Sequence, residues 1–254
     1  MNSFEAIILA IIEGLTEFLP VSSTGHMIIA SSFMGIASDP FVKLFTIAIQ
    51  LGAILSVVVL YFKRFFKSIN FYIKLLVAFI PAAVFGLLLS KKIDELLESP
   101  MAVGISLLVG GVILLFVDKW FNNPTVNEEE DISYLTALKI GFFQCIAMIP
   151  GVSRSGITLT AALLLGMRRK EAGAYSFLLS LPIILAGILK EIPHLMKAND
   201  GQSFAVLASG VVSSFLVGWL TIHFFMKLIG TIQLKYFAIY RWIVAALIFF
   251  TLMY

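Results

Sequence analysis

Residues 13–26 read Glu13-Gly14-Leu15-Thr16-Glu17-Phe18-Leu19-Pro20-Val21-Ser22-Ser23-Thr24-Gly25-His26, and this stretch decides the fold. It interrupts an otherwise apolar segment, residues 4–36, and divides it into two arms. Each arm has about 12–16 residues, hence roughly 18–24 Å of helix at 1.5 Å per residue. An arm that short does not cross ~30 Å of hydrocarbon. Residues 134–167 repeat the arrangement around Pro150-Gly151-Val152-Ser153-Arg154-Ser155-Gly156. Irregular backbone at membrane depth must be covered by protein. Each segment is therefore expected to form a re-entrant helix–loop–helix hairpin that enters and leaves on one side.

Working outward, charge-free runs define six spans: residues 44–62, 75–90, 99–117, 172–189, 201–226 and 236–254. Most match the ~20 residues a helix needs to cross a bilayer. Short charged linkers separate them, such as Asp118 to Asp131 and Lys190 to Asp200. Composition agrees. Of 254 residues, 60% are hydrophobic and only 13% charged, with mean hydropathy +1.01. A soluble domain carries nearer a quarter charged residues. The expected fold is an all-α polytopic membrane protein, one integral domain over residues 1–254, with six transmembrane helices and two re-entrant hairpins.

The remaining composition excludes several classes. A lone Cys145 forms no intrachain disulfide and no cysteine-based zinc site. His26, His194 and His223 are scattered, and the last two read as structural. Net charge is +3 with no basic cluster, so nucleic acid is not an expected partner. Glu5 sits where a cleavable signal would carry basic residues. Trp120, Trp219 and Trp242 read as interface or packing residues, and Pro81 and Pro182 as kinks.

The two hairpins resemble an internal repeat. An offset of 131 puts Ser22 on Ser153, Ser23 on Arg154, Thr24 on Ser155, Gly25 on Gly156 and Glu13 on Gln144. The first repeat covers about residues 1–90 and the second about 134–226, with 236–254 as a final helix. Three crossings separate the hairpins, so the second enters from the opposite face. Inverted repeats with broken helices hold polar sites near the midplane. If the first hairpin opens outward, basic residues divide 12 inside to 5 outside, with Arg241 counted inside and Arg154 not counted. That satisfies the positive-inside rule.

Polar residues at this depth are candidates for chemistry. Glu13 and Glu17, at i and i+4, share a helix face. They repel each other and need a cation, an arginine or a proton. An interfacial helix with both in water is the bland reading. The sharper one is a hard cation, Mg²⁺ or Ca²⁺, held by carboxylates and a phosphate. Ser22, Ser23, Thr24 and His26 either cap the next arm or contact an anion there. Capping is favoured for Ser22 and Thr24, and a serine nucleophile with a histidine partner for Ser23 and His26. Arg154 is either an internal partner of Glu13 or Glu17 or a bidentate clamp on phosphate oxygens, and the two readings coexist in one site.

The Glu13–His26 stretch resembles the first signature of the bacterial undecaprenyl-diphosphate phosphatase family. Pro150-Gly151-Val152-Ser153-Arg154-Ser155-Gly156-Ile157-Thr158 resembles its second. The similarity covers nearly the whole chain without departure at the motif positions. It implies a bacitracin-resistance enzyme that removes the terminal phosphate of the lipid carrier diphosphate. The reaction would use a divalent metal, on the outer face of the bacterial cytoplasmic membrane, and recycle the carrier for peptidoglycan synthesis. Carried over, Glu13 and Glu17 are the metal-holding acids. Glu17, Ser23, His26 and Arg154 are catalytic. Ser153, Arg154 and Thr158 are the phosphate-side residues, and Ser22, Thr24 and Ser155 beside them are further candidates for substrate contact. The expected partners are the polyprenyl diphosphate and membrane lipids, with a homodimer left open. A lipid flippase or transporter without hydrolase activity is the alternative.

Overall fold

In the computed structural model the described residues are all except 67, 98, 122–123, 198–200 and 254. The side chains of 65, 94, 129, 191–197, 201–203 and 253 are also outside the description. Inner Lys67, outer Lys197 and the structural reading of His194 therefore lie beyond it. The helices are α1 (Ser3–Thr16), α2 (Ser23–Phe33), α3 (Pro40–Leu60), α4 (Ile69–Leu88), α5 (Ser90–Leu97), α6 (Pro100–Trp120), α7 (Tyr134–Cys145), α8 (Arg154–Leu164), α9 (Arg169–Lys197), α10 (Gly201–Leu228) and α11 (Lys235–Met253). Among the described residues the only extended pairing is an isolated bridge from Val126 to Met167.

Six of these, α3, α4, α6, α9, α10 and α11, are long and apolar enough to cross a membrane. They match the six charge-free runs, and the differences lie at the ends. Helix α3 starts at Pro40 because Asp39 accepts a hydrogen bond from the Phe41 N–H and proline suits the first turn. Helix α4 starts at Ile69, capped by Ser68, so Lys74 falls inside it. The Lys74 ammonium is satisfied by the Glu130 carbonyl at 2.7 Å. The short helix α5 sits in what was expected to be a linker. Leu87, Leu88, Ile243 and Phe250 are exposed on the outside of the bundle. Such side chains face acyl chains in a multi-pass membrane protein.

Packing pairs the elements in matched ways. Helix α1 lies along α10, and α7 along α4. Helices α3 and α9 pack on each other, as do α6 and α11. Small residues permit close approach. A Cβ on Gly14 would press on the α10 backbone at Ser214 and Gly218, and one on Gly141 would overlap the Ala78 carbonyl of α4.

Polar contacts gather the end of α6, the start of α9 and the turn between α10 and α11. Arg169 pairs with Asp118 and also donates to the Ile232 carbonyl at 3.0 Å. Asp118 accepts from the Leu234 N–H at 2.7 Å. At the opposite end the Met1 ammonium meets Asp39 at 2.9 Å. One basic residue leaves the expected tally. Arg241, counted at an interface, is 1% exposed in the centre of the bundle, so the asymmetry becomes 11 to 5.

Candidate active site

Each hairpin breaks at a serine with left-handed backbone. Ser22 has φ 70° and ψ 99°, and Ser153 has φ 71° and ψ 108°. Such conformations cost a non-glycine residue of order 1–3 kcal/mol and cluster at functional sites. Both serines cap the following helix, accepting from Gly25 N at 3.4 Å and from Gly156 N at 3.2 Å. The positions aligned by the 131-residue offset thus adopt the same turn. The breaks also touch. Ser155 Oγ donates to the Leu19 carbonyl at 2.8 Å, and Ser153 Oγ reaches the same oxygen at 3.5 Å.

Glu17 is the junction. Its Oε1 pairs with Arg154 Nη2, and its Oε2 accepts from Ser23 Oγ at 2.7 Å. Positions 23 and 154, aligned in the two breaks, therefore converge on one carboxylate. Glu13, one turn back on α1, is 1% exposed, and its Oε1 has no hydrogen-bond partner. Glu13, Ser23 and Thr24 line a cavity of about 570 Å³, whose wall continues past Asp39 and Lys43. Pro40 and Pro100 also line it, so the cavity extends to where α3 and α6 begin.

The other expected residues are placed as follows. Ser22 and Ser153 use their hydroxyls as caps, and Ser155 uses its own on Leu19. Thr158 is fully buried. Its hydroxyl donates to the Arg154 carbonyl at 2.7 Å and also meets Ser176 Oγ. These four hold the turn beneath Arg154 and Ser23. His26 is close in sequence to Ser23 but hydrogen-bonds elsewhere: Nδ1 to the Ser22 carbonyl at 2.8 Å and Nε2 to the Tyr240 hydroxyl at 2.8 Å. The hydroxyl of Ser23 is partnered by Glu17.

Three residues that the sequence does not single out as site candidates hold this arrangement. Ser176 braces Thr158 from α9. Tyr240 stacks on His26, with ring centroids 5.5 Å apart. Arg241 has its N–H groups on Pro20 O (3.4 Å), Val152 O and Gly151 O (both 2.9 Å), Ser106 O (3.2 Å) and Leu107 O (3.3 Å). It ties both breaks to α6. A Cβ at Gly110 would overlap its guanidinium, so a glycine there makes room for it. The signal for Arg241 was its charge deep in an apolar run, the same signal that singled out Arg154. Lys235 nearby made it read as an interface residue.

The chain is also similar to proteins of one known family. Residues 6–247 match the family described as bacitracin resistance protein BacA. The undecaprenyl-diphosphatase of Flavobacterium psychrophilum is 58% identical over 98% of this chain and 95% of its own length. That of Bdellovibrio bacteriovorus is 44% identical over 100% and 97% respectively, and that of Aquifex aeolicus 38% over 95% of each. Both signature stretches and both breaks lie inside the matched residues, and the chain belongs to the bacitracin resistance protein BacA family.

Proposed function

We propose that this chain hydrolyses undecaprenyl diphosphate to undecaprenyl phosphate and inorganic phosphate, at a site built jointly by the two breaks. The observation that carries this reading is Glu17, bonded at once to the Ser23 hydroxyl and to Arg154 beside a cavity. A nucleophile, a proton acceptor and a cation are the parts phosphoryl transfer requires, since its catalysis is mostly positioning and charge stabilisation.

The steps follow from those contacts. Arg154 turns from Glu17 to the terminal phosphate, where its planar fork holds two oxygens. Glu17 Oε2, already bonded to the Ser23 hydroxyl, takes its proton. Ser23 Oγ bonds to the terminal phosphorus as the bridging P–O bond breaks, and undecaprenyl phosphate leaves. Water then attacks the phosphoserine and its protons stay on the released phosphate, while Ser23 Oγ departs with the proton held by Glu17. The helix N-termini of α2 and α8 face the same region and favour an anion.

A divalent cation fits this donor set. The unpartnered Glu13 Oε1 and the neighbouring Glu17 are carboxylate oxygens of the kind Mg²⁺ or Ca²⁺ takes together with phosphate and water. When bound, such an ion would neutralise phosphate oxygens.

The hairpins are read as re-entrant and the chain as an inverted repeat in the bacterial cytoplasmic membrane, with the cavity opening outward. The twin serine turns, the matched packing of α1 on α10 and α7 on α4, and the 11 to 5 basic asymmetry support this. The test is phosphate release from undecaprenyl diphosphate by the purified chain in detergent, with and without chelator. Stoichiometric, chelator-sensitive release is expected. Lipid translocation in vesicles with no release would replace the enzyme by a flippase.

A further inference from the structure

His26 belongs to the first signature, but its ring hydrogen bonds run away from Glu17 and Ser23. Its Nδ1 lies 2.8 Å from the Ser22 carbonyl oxygen, an atom that can only accept. The proton must therefore be on Nδ1. On the far side Nε2 lies 2.8 Å from the Tyr240 hydroxyl, whose ring stacks on the imidazole at an interplanar angle of 13°. Among the described residues no carboxylate pairs with His26, and an imidazolium here would lack a counter-ion. In a neutral ring protonated on Nδ1, Nε2 is a lone pair, and the Tyr240 O–H donates to it.

We infer that Tyr240 is a positioning residue for the reaction: it fixes His26 as the neutral Nδ1–H tautomer, and His26 in turn holds the left-handed turn at Ser22 that aims Ser23 at Glu17. The inference deepens the phosphatase reading and rests on it. Ser22 precedes the nucleophile directly, and its backbone is strained. A donor clamped on its carbonyl from the next turn keeps that strain from relaxing. The second break has Ile157 at the position of His26 and no such side-chain clamp on Ser153. There Ser153 and Ser155 are held instead by the Leu19 carbonyl. Tyr240 is 43% exposed, so α11 reaches the first hairpin from its outer flank while Arg241 reaches both breaks from within. Residue 240 thus brings the last helix, which lies outside both repeats, into the catalytic unit.

The tautomer is measurable apart from turnover, through ring-nitrogen chemical shifts of the full chain labelled with ¹⁵N-histidine in micelles, in a His194→Gln, His223→Gln background. The expected spectrum shows Nδ1–H with a bare Nε2, and Tyr240→Phe converts it to a mixture. On phosphate release, Tyr240→Phe is expected to lower kcat about tenfold with KM unchanged, the pattern of lost positioning rather than lost binding. His26→Asn keeps an amide donor near the Ser22 carbonyl and should stay within about tenfold of wild type, whereas His26→Ala should fall about 100-fold or more. A wild-type ring protonated on Nε2, a spectrum unmoved by Tyr240→Phe, or an Asn variant as inactive as Ala would overturn the inference. Absence of phosphate release from wild type would remove the phosphatase reading instead, while the ring signals would still report the clamp.

Discussion

The first break and the second, six residues each at 20–25 and 151–156, present the same turn with different side chains. Ser22 and Ser153 have φ values one degree apart and cap the next helix in the same way. At the following position one break carries Ser23 and the other Arg154, and both reach Glu17. One turn earlier the first hairpin has Glu13 and Glu17, where the second has Gln144 and Met148. His26 is matched by Ile157. The first hairpin thus holds a serine hydroxyl and two carboxylates, while the second holds the guanidinium of Arg154. Two positions that follow the same turn, 23 and 154, thus meet on one carboxylate with different side chains, a hydroxyl and a guanidinium. Arg241, bonded to carbonyls of both breaks, is what the two halves share.

Arg241→Met breaks the comparison at its shared element and is expected to do the most damage. It removes the donor from five carbonyls, and those of Pro20, Gly151 and Val152 lie outside any helix, where each unsatisfied group costs about 1–3 kcal/mol. Thermal unfolding in detergent should show a large drop in Tm together with loss of activity. Arg154→Lys breaks only the second half's contribution. It keeps the charge but loses the fork, so Tm should hold while kcat falls about 10²- to 10³-fold. Wild-type turnover in a correctly folded Arg154→Lys protein would remove the clamp from the mechanism.

Smaller changes sharpen the comparison. Glu13→Gln makes the first hairpin resemble the second, since Gln144 occupies the equivalent buried site with its amide atoms also unpartnered. The loss of one carboxylate charge should cost about tenfold in activity and raise the metal concentration needed, as metal titration of phosphate release would show. Ser22→Ala and Ser153→Ala each remove one helix cap, and each should destabilise by about 1 kcal/mol. Denaturation curves should give nearly equal values; a large inequality would mean the twin turns are not equivalent.

The spans were legible because a lipid-facing helix leaves long runs free of charge, as in α3 and α10. The breaks were legible because proline, glycine and consecutive hydroxyls cannot be left in hydrocarbon without a partner. The pairing of Arg154 with Glu17 was named among its readings for the same reason. What stayed hidden was long-range partner choice. Nothing local to Tyr240 separates it from an interfacial tyrosine, since its partner is 214 residues away. Arg241 sits two turns into a span near Lys235, where snorkelling to the interface is the common outcome. Only the packing of α11 on α6 turns it inward. Thr158 matched a signature, yet Ser176, which shares its hydrogen bond, lies in an apolar run that gives it no prominence.

The central claim is that the two breaks form one site through Glu17, and a double-mutant cycle across them tests it directly. Single-turnover phosphate release would be measured for Ser23→Ala, Arg154→Met and the double variant, each shown to keep the wild-type Tm. Residues that act as a unit are grossly non-additive. The double variant is expected to release phosphate at about the rate of the slower single variant, within roughly threefold. A double variant slowed by the product of the two single effects would contradict the account, because Ser23 and Arg154 would then act independently.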